Sequence, residues 1–463
     1  MARLRNDRHL SMSDLLTDIS TGAVDTVIVA FTDMQGRLQG KRLHGRYFAD
    51  HVVEHGTEGC NYLLAVDVDM NTVGGYAMSS WERGYGDMEF VLDDRTIRRL
   101  THLPATAMVQ CDLAWPSADE ADRQPVLQSP RTILQLQLDR IAERGWTALA
   151  GTELEFIAFE DTYEDAWRSG YRDLTPVNAY NIDYSILGTT RVEGLLRAIR
   201  NHMYDAGLDV ESAKGECNPG QHEIGFLYAD ALTTADNHVV YKNAAKEIAA
   251  QQGRSITFMA KYNQREGSSC HIHLSLRDED GSLLFWEGAG SSGARTELYD
   301  HFIAGVLATM AEFTLLYAPN VNSYKRFADG SFAPTTIAWG EDNRTCAVRL
   351  VGHGHGARME NRVPGADVNP YLALAAMIAG GLHGIDEALP LPDPLAGNAY
   401  TSGLAKVPGT LLAARDLFAA SEVARKAFGD EVVDHYANMA DVELAAYDAT
   451  VTDWELRRGF ERM

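Results

Sequence analysis

The chain has 463 residues, 45% hydrophobic and 23% charged, the composition of a soluble globular protein of two or three domains. A formal net charge of −24 argues against a nucleic-acid backbone or an anionic membrane as partner. Five scattered cysteines (Cys60, Cys111, Cys217, Cys270, Cys346) form no C-x-x-C pair, which predicts reduced thiols, a cytoplasmic location and no zinc knuckle.

Arg3, Arg5 and Arg8 are basic, but no apolar stretch follows, so no signal peptide is expected. Residues 11–20 read as a short helix with Leu15, Leu16 and Ile19 on one face. The β-branched run 24–33 reads as a strand, turned by Met34-Gln-Gly-Arg37 into a second strand. Residues 61–70 read as a further strand, and Gly/Tyr-rich stretches around Gly74-Gly75-Tyr76 and Gly84-Tyr85-Gly86 are either site-lining loops or packed turns. This hairpin-led N-terminal domain is placed at 1–115. A polar, proline-containing linker follows at 116–130, and a large catalytic domain at 131–463. Ser129 and Pro130 are a good N-cap and first residue for a helix burying Leu134, Leu138 and Ile141. The most apolar run, 371–382, falls short of the about 20 residues that span a bilayer. It predicts a buried helix ended by Gly380-Gly381.

Chemistry-bearing residues recur at strand spacing. Glu216 and Glu223 flank an Asn218-Pro219-Gly220 turn, with Glu211 on the approach, so a hairpin would bring acids together. Glu153 and Glu155 share one face of a strand at 151–159 while Leu154 and Phe156 face the core. A water-facing edge would tolerate that pair, and a metal site would use it. His271 and His273 repeat the device on a strand that includes Ser275 and follows the Glu266-Gly267-Ser268-Ser269 loop. Arg358, Glu360 and Arg362 are a third same-face set, suited to phosphate or carboxylate or else to a surface ion-pair ladder. Arg326, Arg344 and Arg349 lie just upstream. Oxygen-rich ligation with balancing arginines points to Mg²⁺ or Mn²⁺ in phosphoryl transfer, and neither a P-loop nor a Rossmann signature is present.

These motifs, in order over most of the chain, resemble the glutamine synthetase family: Glu153-Leu-Glu155, Glu216 through Gly220-Gln-His-Glu223, the His271 strand, Asn343-Arg344, Arg358-Met-Glu360-Asn-Arg362 and Asn369-Pro-Tyr371. The resemblance implies an α+β fold. A β-grasp N-terminal domain would precede a catalytic domain of curved antiparallel sheet with surrounding helices. It also implies homo-oligomeric rings, hexameric or dodecameric, with sites at subunit junctions. Carried over by position, Glu155, Glu216 and Glu223 would hold one metal, and Glu153, His271 and Glu360 a second that binds ATP phosphates. Glu211, Ser275 and Arg358 would contact the nucleotide, and Arg326, Arg362 and Gly267 the glutamate. Arg344 and Arg349 would face the transferred phosphoryl group.

Two departures fall on the ammonium side. The family's flap, Gly-Phe-Glu-Ala-Pro, here reads Gly330-Ser-Phe-Ala-Pro334, so Phe332 replaces the glutamate. The Asp-Gly-Ser-Ser segment is absent, and Ala65-Val-Asp-Val-Asp-Met-Asn-Thr72 occupies its region. The pattern resembles the family's γ-glutamyl-amine ligases. It implies an enzyme using glutamate, ATP, at least two divalent ions and a small primary amine, ethanolamine ahead of putrescine. An ordinary glutamine synthetase and a catalytically silent relative are the alternatives. Tyr400 falls near the family's adenylylated tyrosine, but the surrounding sequence differs and that control is not expected.

Overall fold

A computed structural model describes residues 8–119, 122–288 and 290–463. Arg3 and Arg5 lie outside the described residues.

The helix predicted first spans Met12–Thr21 and is fixed at its start by a capping box, Ser11 and Asp14 each bonding the other's backbone N–H. It packs Leu15 and Ile19 into the core. The N-terminal sheet consists of β1 (Thr26–Thr32), β2 (Leu38–His44), β3 (Thr57–Cys60), β4 (Asp87–Leu92), β5 (Arg98–Arg99) and β6 (Thr106–Ala114). Its order is β2-β1-β6-β4-β3, with β5 on β6. The predicted hairpin is therefore β1–β2, its turn closed by Asp33, whose carboxylate accepts from the N–H groups of Gln35 and Arg37.

The strand expected at 61–70 does not form. Residues Asn61–Leu64 make one turn of 3₁₀-helix. Beyond it the Asp67 carboxylate accepts from the Asn71 N–H at 2.8 Å and from its amide at 3.0 Å, closing a turn with Met70 at φ 66°. A local side-chain bond has outcompeted an apolar alternation. Of the Gly/Tyr-rich stretches, the first is a packed turn: Tyr76 is buried with its ring 4.6 Å from that of His435.

The second sheet has nine strands. It runs β15 (Trp339–Glu341), β16 (Val348–Val351), β17 (Arg358–Asn361), β12 (Cys270–Asp278), β7 (Trp146–Phe159), β9 (Gln221–Phe226), β8 (Val210–Gly215). The short strands β10 (Ala229–Asp230) and β11 (Ser255–Thr257) add to β7, and β13 (Trp286–Glu287) and β14 (Ala294–Arg295) form a separate ribbon. The sheet is curved, and only β15–β16 pair parallel. One continuous apolar cluster joins both sheets and the helices around them.

The apolar helix spans Pro370–Asp386 and is buried along nearly its whole length, as expected. Gly380-Gly381 do not end it. A Cβ on Gly381 would lie 2.1 Å from the Phe302 ring, so the glycines let this helix press against Glu297–Tyr317. An ionic hub lies where the N-terminal sheet meets the helices Pro130–Ala142 and Ala231–Gln251. Arg131, 2% exposed, donates to both Asp236 oxygens at 3.0 Å, to Asp93 at 2.7 Å and to Asp112.

Candidate active site

The register of the second sheet gathers the polar residues into one row. Across its strands Lys214 stands opposite Glu223, Glu223 opposite Glu155, Glu153 opposite His271, His273 opposite Glu360, and Glu360 opposite Arg349. Because alternate residues share a face, six adjacent strands present one continuous polar surface. The hairpin predicted around Asn218-Pro219-Gly220 joins β8 and β9. Gly220 sits at φ 77°, where a Cβ would fall 2.6 Å from the Ala158 carbonyl.

One ligand group is Glu155, Glu216 and Glu223, whose oxygens lie within 4.8 Å of one another. Glu155 is oriented by three donors: the Ser269 N–H at 2.8 Å, the Ser269 hydroxyl at 2.6 Å and the Gln221 amide at 2.8 Å. Burial pushes Glu223 up to about 8, with Glu153 and Glu155 adding to the shift and Lys214 opposing it. A carboxylate so crowded by its own kind is one that a divalent cation would relieve, and the all-oxygen donor set fits a hard ion.

Glu153, His273 and Glu360 form the second group, also within 4.8 Å. His271 points into it as well, its Nδ1 3.2 Å from Glu153 and 3.5 Å from Glu360. His273 has a second engagement: Arg358 Nε donates to its Nδ1 at 3.2 Å while its Nε2 meets Glu153 at 2.9 Å. Burial and the Arg362 charge push His271 down, against the hydrogen bond to Glu153, which keeps the neutral ring a metal requires. The two histidines hold Glu153 well below the ordinary carboxylate range despite its burial. Glu360 is fully buried between Arg349 at 2.9 Å and Arg362 at 2.6 Å, so this set is no surface ladder.

Two cavities meet over this row. One, about 490 Å³, is lined by Glu211, Ser275 and Arg358 together with His273, Tyr228 and His355. The other, about 280 Å³, is lined by Glu155, Glu216, Gly267, His271, Arg326, Phe332, Arg344, Arg349, Glu360 and Arg362. Glu153, Glu223, Tyr184 and Lys214 belong to both. Every residue given a metal, nucleotide, glutamate or phosphoryl role in the sequence thus lines one cavity or the other. Arg326 is buried with its guanidinium on the carbonyls of Val363 and Arg362. Phe332 has φ 58° and is 59% exposed, and the Tyr400 hydroxyl donates to the neighbouring Ala333 carbonyl at 2.9 Å.

Several lining residues went unread. Lys214 stands two before Glu216 and Gln221 two before Glu223, so strand alternation could have found both. Asp183 and Tyr184 come from a turn and Ser269 from an isolated bridge to Gly365 just before β12, where no periodicity marks them.

Residues 127–459 match the family model of the glutamine synthetase catalytic domain, and the chain belongs to the glutamine synthetase family. Within it, the chain is 63% identical over 454 residues to the γ-glutamylethanolamide synthetase GlnA4 of Streptomyces coelicolor, covering 98% of this chain and 96% of that protein. It is 36% identical over 440 residues to a glutamate–isopropylamine ligase of a Pseudomonas species, covering 94% and 95%. The solved structure of GmaS with ADP superposes at a TM-score of 0.83 with 27% identity, covering 97% of this chain and all of that one.

Proposed function

We propose that this chain is an ATP-dependent ligase that joins the γ-carboxylate of glutamate to ethanolamine through a γ-glutamyl phosphate. The observation that carries an organic amine over ammonium is the flap: Phe332 lines the smaller cavity where a carboxylate would be needed to bind ammonium and take its proton. An exposed ring offers a cation only about 0.5–2 kcal/mol, but it packs against methylenes. The two relatives named as amine ligases, one of them for ethanolamine, support the reading.

In this reading Glu155, Glu216 and Glu223 hold one divalent ion, and Glu153, His271 and Glu360 another, each Mg²⁺ or Mn²⁺. His271 is preferred to His273 because it lines the glutamate-side cavity with Glu360, whereas His273 is engaged by Arg358. Bound there, the ions offset the charge that develops on phosphate oxygens. ATP occupies the larger cavity, with Glu211, Ser275 and Arg358 along it. Arg326, Arg362 and Gly267 orient glutamate, while Arg344 and Arg349 balance the phosphoryl group in transit. The neutral amine nitrogen then attacks the acyl carbon, the acyl C–O bond breaks, and the proton lost from nitrogen leaves with the phosphate. The chain would work in the cytoplasm as a homo-oligomeric ring of six or twelve copies, with domains divided near 115 and 131. Among the described residues no helix is long and apolar enough to cross a membrane.

The test is phosphate release with glutamate, ATP and Mg²⁺ across a panel of amines. Ethanolamine should give the highest kcat/KM; an enzyme that releases phosphate only with ammonium is an ordinary glutamine synthetase and overturns the reading.

A further inference from the structure

The reaction as described gives no role to two members of the polar row, His273, which is engaged by Arg358, and Lys214. The lysine is on β8, directly opposite Glu223 and two residues before Glu216, so its stem runs over the Glu155/Glu216/Glu223 group by register alone. Its ammonium is paired with Glu216 and lies 3.7 Å from Glu223. It also sits 5.1 Å from the centre of the Tyr184 ring, and both residues line both cavities. A cation is therefore already seated on the acids that would receive a divalent ion, at the passage from the nucleotide side to the glutamate side.

We propose that Lys214 is a resident counter-cation of this acid group, displaced when a divalent ion binds and then free to engage a nucleotide phosphate. Three carboxylates within 4.8 Å repel strongly in a poorly solvated site, and one ammonium among them offsets part of that cost before metal arrives. The same charge opposes the incoming ion, so it tunes metal affinity downward. Lysine suits the task better than arginine would: a compact charge on a flexible four-carbon stem can swing, whereas a guanidinium fork is committed to fixed bidentate partners. The lysine's place at the junction of the cavities gives the displaced ammonium a phosphate within its swing. The inference rests on the metal role proposed for the three glutamates and not on the choice of amine.

The test is calorimetric titration of the full-length, nucleotide-free protein with Mn²⁺, comparing wild type with Lys214→Met and Lys214→Arg. Lys214→Met should bind the ion about ten-fold more tightly, as expected when a like charge is removed from a half-buried site. Lys214→Arg, which keeps the charge on a fork less easily displaced, should bind the ion no more tightly than wild type. In saturating Mn²⁺, Lys214→Met should bind a non-hydrolysable ATP analogue at least ten-fold more weakly than wild type. Equal or weaker Mn²⁺ binding by Lys214→Met overturns the counter-cation role, and unchanged analogue affinity overturns the transfer to phosphate. A wild type that binds no Mn²⁺ overturns instead the metal assignment on which the inference rests. Matching melting midpoints of the three proteins check that the fold is shared.

Discussion

Two clusters of buried charge lie in this molecule, and they are built on opposite principles. At the buried hub, Arg131 stands among Asp93, Asp112 and Asp236, and Tyr371 donates to Asp236 at 2.7 Å, so the guanidinium's charge is balanced by partners within the fold. At the site, five glutamates share two histidines, and the arginines on hand serve mainly Glu360. Glu223 answers the surplus of negative charge by holding its proton up to about 8, because of its burial and then its acidic neighbours. The first cluster is paired internally and ties the N-terminal sheet to the helices that carry Arg131 and Asp236. The second carries a surplus of acids that a divalent cation would relieve.

The comparison breaks most visibly if the hub can be opened without harm. Arg131→Met leaves three aspartates facing an apolar side chain and should cost about 3–5 kcal/mol, read as a lowered urea midpoint. A variant that unfolds with the wild-type midpoint would show that the hub is not structural. The converse holds at the site, where Glu223→Gln should lower turnover at least a hundred-fold, about 3 kcal/mol of barrier. Its urea midpoint should equal or exceed wild type, since the amide removes a crowded acid. Loss of stability there would mean that the acids support the fold rather than await a metal.

The pairs at strand spacing were legible because alternation is a covalent property of extended chain: Glu153/Glu155, His271/His273 and Arg358/Glu360 all share the expected face. The flap substitution at Phe332 was legible too, since it is a change of residue type within a recognisable motif. The face of Lys214 is legible from its spacing to Glu216, but its role is not, because that depends on its cross-strand partner Glu223. The turn after Asn61 was misread because its alternating apolar residues mimic a strand, while the Asp67 side chain decides the backbone. Gly380-Gly381 predicts a helix stop in sequence, but the space the pair leaves for Phe302 and Thr309 belongs to another helix, which only the tertiary structure supplies.

A smaller effect is expected at the flap. Phe332→Glu should cut kcat/KM for ethanolamine about ten-fold, roughly 1.4 kcal/mol, with KM for ATP unchanged. An unaffected ethanolamine reaction would remove Phe332 from the acceptor side. The smallest effect concerns acid stability away from the site. Burial pushes His435 down to about 3 and His222 to about 4, against an ordinary value near 6.5. Both therefore stay neutral in the fold while the unfolded chain takes up protons, so stability is full above about pH 6.5 and declines as the pH falls toward 4 and 3. His435→Gln should flatten the fall of the melting midpoint between pH 7 and pH 4.5; an equally steep fall would assign the acid lability elsewhere.

The central claim, that the acceptor is an organic amine, is tested most directly by competition. The full-length enzyme is supplied with glutamate, ATP, Mg²⁺ and equal concentrations of ethanolamine and ammonium, and the product is identified by mass. The account predicts γ-glutamylethanolamide as the dominant product; glutamine in its place would contradict it.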